Sequence, residues 1–125
     1  MQFLITGGLL VAAIIHLMPL IGVLGVDKLN SLYGNFNYDS NLELLMRHRA
    51  VLFGIVGGIL ALGAFCRPFT NLALVVGFVS VLSFLILALS IGNYNDLLRR
   101  VFLADIVALV GLSLAAIGQV VTLMD

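Results

Sequence analysis

Four long apolar runs divide the chain: Phe3 to Val26, Leu44 to Cys66, Phe69 to Ile91 and Val101 to Met124. Each holds about 22 to 24 residues, enough at about 1.5 Å per residue to cross a hydrocarbon layer of about 30 Å. No stretch alternates apolar and polar positions at period two, so spanning strands are excluded and helices are predicted. Between the runs the polar residues read as helix punctuation. Ser40-Asn41-Leu42-Glu43 fits a capping box that starts the second helix. Cys66-Arg67-Pro68 ends it, because the residue before a proline avoids the helical region. Thr70 or Asn71 is the candidate cap of the third helix. Gly92-Asn93 ends that helix, and Asn95 with Asp96 opens the fourth. The resulting helices cover about residues 3–26, 41–66, 70–91 and 96–124 of a single domain, 1–125. The short second and third connections make successive helices antiparallel neighbours. The expected fold class is all-α: a transmembrane four-helix bundle with a short amphipathic segment in the first loop.

That first connection, Asp27 to Glu43, is the long one. Val26, Leu29, Leu32 with Tyr33, and Phe36 recur at helical spacing, and predict a short amphipathic helix on the membrane surface. Asn35, Asn37, Asp39 and Asn41 then read as a turn-rich segment. Two roles fit it: an interfacial anchor held by aromatics, or a lid over a pocket. Small residues form rows on two of the spans. Ala104, Ala108, Gly111, Ala115 and Gly118 share one face of the fourth, and Ala50, Gly54 and Gly58 one face of the second. Such rows let membrane helices approach closely, either within one chain or across a homo-oligomer seam.

Composition sharpens this picture. Of 125 residues, 62% are apolar and only 10% charged, the net charge is zero, and the mean hydropathy is +1.23. Twelve charged residues, six of each sign, do not cover the surface of so small a water-soluble domain. A soluble enzyme, a disordered chain and a nucleic-acid-binding protein with a basic face are all excluded. The first run lacks a basic flank, is long for a signal peptide and contains His16 and Pro19, so it reads as a span. The single cysteine, Cys66, offers neither a disulfide nor a redox pair.

Placement of charge says more than its sum. Lys28, Arg47, Arg49, Arg99 and Arg100 fall on one side of the membrane, against Arg67 and the amino terminus on the other. By the positive-inside rule the basic side is cytoplasmic and both termini lie outside, in the periplasm. Arg47, Arg49, Arg99 and Arg100 sit near two helix N-termini, where the dipole already places positive charge. Two readings stand: the arginines reach to lipid phosphates, or they bind a dedicated anion. Deeper lie His16, His48 and Asp105. His16 and Asp105 are roughly 12 to 15 Å from the basic side by helix rise. An isolated carboxylate at that depth is costly. Its expected partners are Arg47, Arg49, His48 and His16, with Ser80 and Ser83 completing a polar lining. Either a functional pocket or an Asp105–arginine clasp between the second and fourth spans fits. Pro19, three residues after His16, breaks one backbone bond of the first helix. No HxxxH or HxxE spacing supports a metal site, and no cofactor is expected. The candidate pocket residues are therefore His16, Arg47, His48, Arg49 and Asp105, with Arg99 and Arg100 as candidate anion-binding residues.

The stretch Leu45-Met46-Arg47-His48-Arg49-Ala50-Val51-Leu52-Phe53-Gly54 is distinctive. With it go His16-Leu17-Met18-Pro19, Gly92-Asn93-Tyr94-Asn95 and Arg99-Arg100-Val101-Phe102-Leu103-Ala104-Asp105. Together these segments resemble a group of small bacterial four-helix integral membrane proteins related to the DoxX-like families of unknown function. Members of that group are often labelled phosphopantetheine adenylyltransferase. That enzyme is a soluble α/β nucleotidyltransferase with an HxGH motif, which neither His16-Leu17-Met18-Pro19 nor His48-Arg49-Ala50-Val51 matches. The resemblance implies a fold and a location in the bacterial cytoplasmic membrane, and carries over no catalytic residue. Three functions fit the chain. The first is a module that binds or moves an anionic or amphipathic small molecule or lipid. The second is a membrane enzyme acting on an isoprenoid, sterol-like or quinone-like molecule, with a histidine or Asp105 as acid–base. The third is an assembly subunit of a membrane complex. Membrane lipids are expected partners in each case, and nucleic acid in none.

Overall fold

The computed structural model describes every residue except Asn35. Five α-helices follow in order: α1 (Gln2–Leu17), α2 (Val26–Tyr33), α3 (Ser40–Phe65), α4 (Thr70–Ile91) and α5 (Asp96–Met124). Three-residue-per-turn segments join α1 to α2 (Met18–Leu24) and α3 to α4 (Arg67–Phe69). No strand forms among the described residues. Four stretches are long and apolar enough to cross a membrane: Gln2–Leu24, Ser40–Phe65, Arg67–Ile91 and Asp96–Met124. The chain is a multi-pass helical membrane bundle.

The four spans pack as a ring in chain order, α1 on α3, α3 on α4, α4 on α5 and α5 back on α1. Ile5, Leu9, Ala12, Leu60, Val81 and Leu112 fill its centre. The outside is apolar as well: Phe3 is 94% exposed, and Val79, Ile86 and Leu89 are exposed too. In water such a surface would aggregate; in a bilayer it is the lipid-facing surface.

Close approach of α1 and α5 rests on the small residues. A Cβ on Gly8 would collide with the Gly111 carbonyl oxygen, and one on Gly111 would lie 2.9 Å from the Gly8 oxygen. Ala108, Gly111, Ala115 and Gly118 are all buried in this seam. The shorter row divides: Ala50 and Gly54 face Gly22 and Leu20 of the first connection, whereas Gly58 faces open space. Gly57 and Gly63, outside that row, make the tighter contacts, to Leu17 and Ala73.

Helix ends depart from expectation in detail. Asp39, not Ser40, caps α3, its carboxylate accepting from the Leu42 N–H at 2.8 Å. Its short side chain is a better acceptor there, and Glu43 is drawn to Arg47 one turn on. Neither Thr70 nor Asn71 caps α4. The Thr70 hydroxyl donates to the Gly63 carbonyl at 2.8 Å, and the Asn71 side chain accepts from Gln119 at 3.0 Å. Both tie α4 to a neighbour. Asn95 caps α5 as expected, accepting from the Leu98 N–H at 2.8 Å.

The first span does not stay α-helical to Val26. Its α-helix gives way at Met18, beside Pro19, which lacks the N–H the next turn needs. Gly25, at φ 142°, turns the chain into α2. That helix is amphipathic: Leu29 and Tyr33 are buried against the Met18–Leu24 segment, α3 and α5, while Asp27, Lys28 and Ser31 are exposed. In the turn-rich segment that follows, Asn35 lies outside the described residues.

Candidate functional site

At the basic end two cavities of about 250 Å³ each flank the Phe53 ring. One lies between α1, α2 and α5, lined by His16, Pro19, Leu32, Phe53, Arg100 and Asp105 among others. The second is a groove between α3 and α4, lined by Arg49, Leu52, Phe53, Ser80, Ser83 and Phe84 among others. Phe53 lines both. His16, from the first, is hydrogen-bonded to Ser80, from the second. Phe53 and the His16–Ser80 pair therefore form the wall between them.

His16 is held firmly. Its Nδ1 lies 2.8 Å from the Ala12 carbonyl, one turn back, and a carbonyl only accepts, so Nδ1 carries the proton. In the neutral ring Nε2 is then the acceptor, and Ser80 Oγ donates to it at 2.9 Å. The His16 ring also packs against Phe53, with centroids 5.8 Å apart. Both ring nitrogens are used, which accounts for a histidine buried in the bundle.

Asp105 is only 6% exposed. The expected clasp to Arg47 or Arg49 does not form. Among the described residues no donor hydrogen-bonds its carboxyl, and the one ion pair within 4.0 Å is Arg47–Glu43, at 3.4 Å. The reason is where each arginine turns. Arg47 Nε donates to the Val23 carbonyl at 3.0 Å while Nη1 meets Glu43. Arg49 Nη1 donates to the Tyr33 hydroxyl at 2.8 Å, and its guanidinium lies 5.2 Å from the Tyr33 ring centre and 4.5 Å from that of Phe53. Such stacking favours a cation. Burial pushes the Tyr33 phenol above its ordinary range, although Arg49 pulls it back, so Tyr33 offers Arg49 a neutral hydroxyl.

The other candidates disperse. His48 is exposed and shares a shallow groove with Arg47, Val23 and Ser40, away from His16. Arg100 reaches the Asp105 cavity, while Arg99, also exposed, does not line it. Arg47, Arg49 and Arg100 thus line different cavities. Among the described residues no three His, Cys, Asp or Glu side chains gather closely enough to hold a metal ion.

Three residues of the site escaped the sequence reading. Tyr33 binds Arg49, Phe53 divides the cavities, and Asn95 closes α2 against α5 by donating to the Tyr33 carbonyl at 2.6 Å. Phe53 stands four residues after Arg49, a helical neighbour whose stacking the spacing allows. No known family, curated protein or solved structure matches the chain.

Proposed function

We propose that this protein binds an amphipathic small molecule in the cavity between α1, α2 and α5, either to hold it or to pass it across the bilayer. One observation carries the reading: Asp105 is buried, has no hydrogen-bonding partner among the described residues, and lines that cavity. A buried carboxyl without a partner is costly, and polar groups inside membranes are by default functional. A ligand hydroxyl or amine donating to Asp105 offsets that cost. Arg100, at the rim, suits an anionic or hydrogen-bond-accepting group, and Ile15, Leu32, Val101 and Ala104 suit the apolar remainder. The volume, about eight waters' worth at the roughly 30 Å³ each takes in the liquid, accommodates a head and its first carbons. In this reading α2 is the lid, fastened by Tyr33 to Arg49 and to Asn95.

The DoxX-like resemblance and the basic-side count support a bacterial cytoplasmic membrane, with both termini periplasmic. The test is mass spectrometry of small molecules retained by the chain purified in mild detergent. Wild type should carry a species beyond bulk phospholipid, and Asp105→Asn and Asp105→Ala should lose it at least about tenfold, the effect of about 1.4 kcal/mol. Equal retention in all three, or phospholipid alone in wild type, would overturn the reading.

A further inference from the structure

The groove between α3 and α4 is a separate compartment from the Asp105 cavity, and its chemistry differs. It opens outward: Leu52 and Leu87 on its rim are 47% and 59% exposed, on the surface that faces lipid. Its one cation is Arg49. Among the described residues no carboxylate lies within 4.0 Å of that guanidinium. Its hydrogen-bond partner, Tyr33, supplies a dipole and no charge. The bond to Tyr33 uses Nη1, which leaves Nε and Nη2. That edge of a guanidinium is the one able to receive a carboxylate with two parallel hydrogen bonds. Tyr33 and Phe53, stacked on the guanidinium, fix its plane. Ser83, further along the groove, donates to the Ser80 carbonyl and keeps its hydroxyl oxygen free to accept.

We infer that this groove is a lateral binding site for a single-chain lipid carboxylate, a free fatty acid being the simplest case. Its head sits on Arg49, and its chain runs along Leu52, Val56 and Phe84. Charge selects the occupant: one cation with no carboxylate within 4.0 Å among the described residues, in a groove whose remaining wall is largely apolar, takes one anion with one tail. With rings on the guanidinium and Nη1 bonded to Tyr33, an edge-on approach to Nε and Nη2 suits a carboxylate better than a bulkier phosphodiester. The lining of this groove shares only Phe53 with that of the Asp105 cavity.

The test uses the full chain in phosphatidylcholine vesicles with a diazirine-bearing palmitic acid, its methyl ester as the neutral control, and peptide mapping of the crosslinks. The acid should label peptides containing Leu52, Val56 and Phe84 at least about fivefold more than the ester does. Arg49→Gln should bring acid labelling down to the ester level, and Arg49→Lys should keep at least about half. Unlabelled palmitate should compete, and phosphatidylglycerol should not. Equal labelling by acid and ester in wild type overturns the proposal, with no variant needed. So does acid labelling spread evenly over all four seams of the bundle, or competition by phosphatidylglycerol as strong as by palmitate. Retention of a ligand by the Asp105 cavity is a separate measurement, so either result stands if the other fails.

Discussion

Gly8→Ala adds one methyl group and tests the whole arrangement of α1 on α5. In an isolated helix the change favours folding by about 1 kcal/mol, because alanine is the better helix former. Here the new Cβ would collide with the Gly111 carbonyl oxygen and touch Ala115 Cβ at 3.0 Å. The obstacle is backbone, so no side-chain rotation relieves it. The helices must separate, and the seam made by Leu9, Ala12, Ala108, Leu112 and Ala115 opens with them. In a membrane that seam is held by packing, since lipid is as apolar as the side chains. Overpacking of a tight core costs about 1–3 kcal/mol, and a rigid backbone contact belongs at the upper end. Net of the propensity gain, Gly8→Ala should destabilise by about 2 kcal/mol. Gly7→Ala is the internal control: a Cβ there meets nothing within 4 Å, so only the propensity gain of about 0.5–1 kcal/mol should remain. The assay is unfolding by SDS in mixed micelles, followed by far-ultraviolet ellipticity. If Gly8→Ala unfolds no earlier than Gly7→Ala, the α1–α5 register is wrong.

Three other outcomes follow from single contacts. Asn95→Ala removes a helix cap and the bond to the Tyr33 carbonyl. At about 1 kcal/mol each, the loss should total about 2 kcal/mol and raise amide exchange in α2 before the spans. Tyr33→Phe deletes the acceptor of Arg49; the same SDS titration should show a loss of about 1.5–3 kcal/mol, the range for a charge-assisted bond. In a Tyr94→Phe background, Tyr33 and Tyr38 should ionise above the ordinary phenol range, burial being the main cause for each. A raised folded value means that this contribution to stability is full below about pH 10 and is lost as pH rises through the folded value. Absorbance at 295 nm reads the ionisation, and titration of both at the ordinary value would contradict their burial.

The spans were legible because a bilayer demands them. A run of apolar residues long enough to cross hydrocarbon has few alternatives to a helix, and short antiparallel connections leave few ways to close four helices into a ring. Asn95 as cap was legible for the same local reason: its side chain satisfies an amide three residues on, whatever surrounds it. The small-residue row on α5 was legible as a face, but its partner was not. Which glycines matter on α3 depends on where α1 and α4 cross it. Gly57 and Gly63, not Gly58, lie under the contacts, and nothing in their spacing separates them.

The site divides along the same line between what spacing dictates and what competition decides. Arg47 and Arg49 are two residues apart, about 200° around a helix at 3.6 residues per turn. They leave the helix on nearly opposite faces, so a common role needs both long side chains to bend back to one point. Arg47 turns outward to Glu43 and Val23, and Arg49 inward to Tyr33 and Phe53. The depth of Asp105 was equally legible, and so was its need for a donor. What spacing does not contain is the identity of the donor. Arg49 had two candidate acceptors, a carboxylate on α5 and a phenol from a connection that only the folded chain tucks into the bundle. Tyr33 wins because α2 is fastened at both ends: Gly25 and the Pro19 break place it, and Asn95 holds its last carbonyl. Packing of α2 on the bundle leaves Arg49 bonded to a phenol and Asp105 without a hydrogen-bond donor among the described residues, and the two binding proposals start separately from those two groups.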